Sequence, residues 1–241
     1  RSGFIVSANN DPCVVSNKFA KVLGNYSIPQ RYNRIHELIK NKKGSIDIKD
    51  IKNIQLDDKT RVHKNFLNKL LSLLATCKNI KEDHLSNKLL DSIRNWEGYH
   101  ELEDYRPSVF YVFVSNLLRE LFYKDSIDIN SYKKFVASHE IYQIISNLID
   151  NKDSIWWQND NKLIDQKQFV SRVWLNTIDS LCKKWGKNPN KWTWGKFHQV
   201  EYKHVLGKQY PLNLLFNVGP YPVEGSSEVV NNQEFYLLGE S

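Results

Sequence analysis

Apolar residues change their spacing along this chain, and the changes divide it into three parts. Gly3-Phe-Ile-Val-Ser-Ala8 is a short apolar run that predicts a buried strand, ended by the turn-prone Asn9-Asn10-Asp11-Pro12. From Pro29 to about Lys43, apolar residues recur at helical spacing through Tyr32, Ile35, Leu38 and Ile39. Pro29 suits a first helical turn, and Gly44 suits the position just past the end. Ser45 or Asp47 then caps a long amphipathic stretch whose stripe runs Ile48, Ile51, Ile54, Val62, Phe66, Leu70, Leu73 and Leu74. Further helices are predicted at about 82–95, 108–123, 131–150 and 166–185. The last of these carries Phe169, Val173, Trp174, Ile178, Leu181 and Trp185 on one face. After Gly186 aromatics, Gly and Pro dominate, with short β-like runs such as Asn213-Leu-Leu-Phe-Asn-Val218. The fold class expected is α+β, mainly helical with a few strands. Its parts are 1–12 (core strand and Asn loop), 29–185 (helical) and 186–241 (an aromatic, Gly- and Pro-rich β segment).

Composition narrows the class of protein without naming a chemistry. A chain of 241 residues, 41% hydrophobic and 25% charged, can bury a substantial globular core. No apolar run approaches the roughly 20 residues that span a bilayer. The net charge of +7 raises a helical nucleic-acid binder as one reading. The lysines, however, are scattered among Asp, Glu and Asn, and clusters such as Lys183-Lys184 read as solvated helix ends, so no nucleic-acid partner is expected. Cys13, Cys77 and Cys182 are odd in number and lack metal-type spacing, which argues against a disulfide framework or a zinc site.

Few residues invite a chemical role on their own. Asn9 ends the first apolar run, where a carboxamide can either build a turn or aim its NH₂ at a developing oxyanion. Arg31 and Arg34 are helical neighbours, and by themselves they read as an exposed pair beside carboxylates. His198 lies close to Trp192 and Trp194, where a satisfied core histidine is the plainer reading than a general base.

Several short motifs occur in a telling order. They are Gly3-Phe-Ile-Val-Ser-Ala-Asn9-Asn10, Arg31-Tyr-Asn-Arg34-Ile35, Gln55-Leu56-Asp57, Trp96-Glu97-Gly98, Trp192-Thr-Trp194-Gly195-Lys-Phe-His198 and Gly219-Pro-Tyr-Pro-Val223. Together they make the chain similar to the β-chain of the penicillin acylase family of N-terminal-nucleophile amide hydrolases, over about Gly3 to Asn231. One departure is His204-Val205-Leu206, where family members usually show His-Pro-Leu.

The resemblance implies an αββα sandwich to which this chain gives helices and a few strands. It implies that Asn9 is the oxyanion-hole residue, with Asn10 as neighbour, and that Arg31 orients catalytic groups and the substrate end. Arg34 becomes a structural ion-pair residue. Gln55 and Asp57 become buried or half-buried polar ties between helices, and Trp96 and Gly98 a packed turn. The nucleophile would lie upstream of Arg1, making this chain part of a longer precursor and inactive alone. Ser2 cannot replace it, because it stands on the same strand as the donor it would have to face. The partners implied are the remaining α- and β-chain segments of that precursor and a small amide substrate, in the periplasm or outside the cell. No cofactor or metal is expected in this chain, since Ala20 stands near a position where the family places an acidic ligand; calcium remains open for the parent. A catalytically inactive relative, kept as a structural or binding module, is the alternative reading.

Overall fold

A computed structural model describes residues 3–10, 29–60, 63–123, 128–138, 141–159 and 162–233. Ser2, Asp11, Pro12, Cys13, Ala20 and Val62, which the sequence raised, lie outside the described residues. The helices are α1 (Gln30–Asn41), α2 (Ile48–Gln55), α3 (His63–Leu74), α4 (Lys78–Glu82), α5 (His84–Arg94), α6 (Arg106–Phe122), α7 (Ile129–Val136), α8 (Ile141–Asp150) and α9 (Gln166–Trp185). Short α10 (Trp194–Phe197) and α11 (Asn213–Phe216) follow. Two antiparallel ribbons complete the described elements: β1 (Gln158–Asn159) with β2 (Lys162–Leu163), and β3 (Gln199–Tyr202) with β4 (Val218–Pro222).

The centre is α6. Its buried positions include the consecutive run Pro107, Ser108, Val109, Phe110 and Tyr111, so it is covered on every side, as a helix without a polar face must be. It packs on α9, α5 and α10, while α3 lies against α8, α5 and α9. The predicted face of α9 is the buried one, through Phe169, Val173, Trp174, Ile178 and Leu181. Asp165 caps that helix by accepting from the Lys167 and Gln168 amides, and Gly186, at φ 83°, ends it. Trp157, Trp174, Trp192 and Trp194 are the largest fully buried side chains. Removing a core side chain of the kind Leu117 supplies costs about 2–5 kcal/mol.

Four sequence expectations need correction. The first is the strand at 3–8. The segment is extended, but no strand pairs with it among the described residues, and Ile5 is 98% exposed. An apolar run is a strand only when a neighbour supplies the hydrogen-bond ladder. Second, the stripe from Ile48 to Leu74 is two helices, not one. α2 stops at Leu56 because the next residues spend their polar groups elsewhere: Asp57 on Arg34, Asp58 on His100, and the Thr60 amide on the Gly98 carbonyl at 2.9 Å. The front of the stripe is also exposed, at Ile48 and Ile51. Third, the helix expected at 131–150 is α7 and α8, interrupted after Val136. Fourth, Asn213–Phe216 is a helical turn and only Val218–Pro222 is a strand.

Gln55 is exposed rather than a buried tie, because α2 turns that side of the helix to solvent. Trp96 and Gly98 do form the packed turn. Trp96 is buried and its indole N–H donates to the Tyr99 carbonyl at 2.8 Å. Gly98 sits at φ +95°, where an added Cβ would stand 2.5 Å from the Thr60 carbonyl oxygen.

Candidate functional site

The first described segment lies along α1. The Phe4 ring meets His36 with centroids 5.2 Å apart. Five residues on, Asn9 adopts φ 58°, a left-handed conformation that asparagine tolerates better than most residues. The Ala8 amide donates to Asn10 Oδ1 at 3.1 Å, which fixes the bend around Asn9. Asn9 is exposed, and Arg31 Nη2, from the first turn of α1, donates to its Oδ1 at 2.9 Å.

That contact settles which way the amide points. A guanidinium has only donors, so the atom it holds must be the carboxamide oxygen. Among the described residues the NH₂ has no acceptor. The result is a carboxamide held by its oxygen that presents two N–H donors to an incoming acceptor. The Arg31 groups not engaged by Asn9 likewise make no hydrogen bond among the described residues.

Behind this pair stands an ionic clamp. Arg34, one turn along α1, donates from Nε to Asp57 Oδ1 at 2.9 Å and from Nη2 to Oδ2 at 2.6 Å, while Nη1 reaches Glu37 Oε2 at 3.1 Å. The Asp57 hydrogen bonds raise the basicity of the guanidinium against the opposing effect of burial. Arg34 is thus the ion-pair residue expected, and Asp57 is a tie between elements.

The sequence did not point to the polar network below. His100 is fully buried. Its amide donates to Asp58 Oδ2 at 2.8 Å, and its Nδ1 meets the Asp58 carbonyl oxygen at 2.8 Å. A carbonyl only accepts, so Nδ1 carries a proton. Burial pushes the ring down to about 4, leaving it neutral with Nε2 as an acceptor, 3.0 Å from Tyr111 Oη. The same phenol lies 3.0 Å from Glu228 Oε2. Burial raises that carboxyl above its usual range, against the lowering effect of the Tyr111 hydrogen bond. Burial also pushes Asp58 up to about 6. A lone histidine and scattered carboxylates 11 to 117 residues away from a tyrosine leave no periodic signal in sequence.

His198 is a satisfied core histidine. It is buried, its Nδ1 lies 3.0 Å from the Val223 carbonyl, and its ring packs on Trp194 at 4.9 Å. Among the described residues no group of three or more His, Cys, Asp or Glu could hold a metal ion, and no helix is long and apolar enough to cross a membrane.

The family model for penicillin amidase matches residues 1–238, almost the whole chain. The chain belongs to the penicillin amidase family. Membership carries the hydrolysis of amides, and it covers the motifs from Gly3 through Gly219-Pro-Tyr-Pro-Val223. A comparison with curated proteins finds no match.

Proposed function

We propose that this penicillin amidase chain supplies the oxyanion donor of an N-terminal-nucleophile amide hydrolase, with the nucleophile on another segment of the same precursor. A serine there, less often cysteine or threonine, attacks the amide carbonyl, and its own α-amine takes the hydroxyl proton. The carbonyl π electrons move to oxygen, where the Asn9 Nδ2–H and a backbone N–H from outside the described residues receive the charge. Collapse breaks the C–N bond, the α-ammonium protonates the departing amine, and water then releases the acyl group by the same steps. Arg31 holds Asn9 by its oxygen and offers its remaining N–H groups to the substrate end.

The single observation that carries this reading is the Arg31–Asn9 hydrogen bond, which orients the amide as an exposed donor. The partner segments are supported by a second one. Tyr202, Val205, Leu206, Tyr210, Leu214, Leu215 and Val218 crowd one exposed lobe, which another part of the precursor covers. By analogy with the family, the assembled enzyme is exported to the periplasm or beyond.

The test is turnover of an amide by the assembled enzyme carrying Asn9→Ala. A loss of at least about a hundredfold, with thermal unfolding nearly unchanged, is expected. Wild-type rates would remove Asn9 from the mechanism.

A further inference from the structure

The Asn9 site rides on α1, a helix whose residues are half-buried or exposed. Both Phe4 and Asn9 contact this helix, through His36 and Arg31, so segment 3–10 takes its position from it. Lys42 ties the far end of the connection to Asp50 at 2.6 Å, but its Nζ side chain is 39% exposed, and such pairs contribute little. Among the described residues the firm attachment is Arg34 to Asp57, whose side chains are only 12% and 10% exposed.

Asp57 is itself held on both sides. Its carbonyl accepts the Asn231 amide at 2.8 Å, and the next residue, Asp58, grips His100 in the core. Two parallel N–H···O bonds from a planar guanidinium fix rotation as well as distance, which an ammonium cannot do. Arg31 and Arg34 stand three residues apart, hence on one face of the helix. Whatever sets Arg34 therefore also sets Arg31, and with it the Asn9 amide.

We propose that Arg34 and Asp57 are positioning residues for the oxyanion site, joining α1 to the buried core so that Arg31 turns the Asn9 NH₂ toward the substrate. The inference rests on the role given to Asn9 above and adds what aims it.

In the assembled enzyme, Asp57→Asn is expected to lower kcat about ten- to a hundredfold, since a shift of about 1 Å in a catalytic group has effects of that size. KM should change far less. In an Asn9→Ala background the same substitution should cost less than about twofold, because its effect passes through Asn9. Arg34→Lys, which keeps the charge and loses the fork, should behave like Asp57→Asn. Equal losses in both backgrounds, or wild-type kcat in Arg34→Lys, would overturn the proposal. Full activity in Asn9→Ala alone would instead sink the proposed function. A readout independent of catalysis is the Asn9 side-chain NH₂ resonance in this chain. Asp57→Asn should shift it and speed exchange of the α1 amides, and an unmoved resonance would count against positioning.

Discussion

Arg31 Nη2 holds Asn9 Oδ1 at 2.9 Å across 22 residues of sequence. The bond matters for what it leaves open, since an amide gripped by its oxygen can still donate from both N–H groups, and among the described residues these have no acceptor. Asn9→Asp separates this role from a structural one. Aspartate tolerates the left-handed backbone at φ 58° and keeps or strengthens the contact to Arg31. It has no donor and places a second negative charge where the proposed mechanism puts the oxyanion. Turnover should fall by more than about a hundredfold while folding is retained. A variant that folds and keeps half its activity would mean that the amide donates nothing in the transition state.

The buried network predicts a pH dependence of stability with two opposed contributions. Asp58 stands at about 6 when folded against an ordinary 3.8, so over that window the folded chain holds the extra proton and stability falls as pH rises. His100 stands at about 4 against 6.5, so there the unfolded chain holds the extra proton and stability rises with pH. Glu228, raised by burial, acts in the sense of Asp58, and Glu224 and Asp57 add negative charge near Asp58. Asp58→Asn removes one side of this balance. Near pH 7 the variant should be more stable than wild type by on the order of 1–2 kcal/mol, and its stability should fall more steeply on acidification through the His100 window. Denaturant titrations across that range measure both effects. A destabilised variant at neutral pH would show that the Asp58 charge is favourable where it lies.

The contrast between what the sequence told and what it hid follows from where each signal resides. Helical periodicity found α5 and α9, because their buried faces repeat at 3.6 residues. The same signal ran past the end of α2, since apolar spacing continues from Ile54 to Phe66 while the break is made by the distant partners Arg34, His100 and Gly98. Motif order singles out Asn9 and Arg31, and only the structure shows that the two are hydrogen-bonded. Gly3–Ala8 reads as strand from its side chains, yet strand pairing needs a neighbour that no local pattern can supply.

Gly98 offers a direct test of the turn that stops α2 from continuing. Alanine there would be strained at φ +95°, and its Cβ would meet a backbone carbonyl that cannot swing away. Gly98→Ala should destabilise the chain by about 1–3 kcal/mol in chemical denaturation. A neutral result would mean that Thr60 and Gly98 are not held together in solution.

The lobe from β3 to β4 should be sticky in this chain alone. Tyr210 is 83% exposed and Leu215 77%, beside Val205 and Leu214. Binding of a hydrophobic dye, or concentration-dependent association, is expected and should diminish in Leu214→Ser/Leu215→Ser. A monomer that ignores the dye would argue against a covered surface in the assembled protein.

The most direct test is a structure of the assembled enzyme bearing a tetrahedral adduct of its nucleophile, such as that formed with a boronic acid. Asn9 Nδ2 should lie about 2.7–3.1 Å from the adduct oxygen that mimics the oxyanion, with Arg31 still on Oδ1. An adduct oxygen bound by other donors, with the Asn9 amide beyond hydrogen-bond reach, would contradict the account.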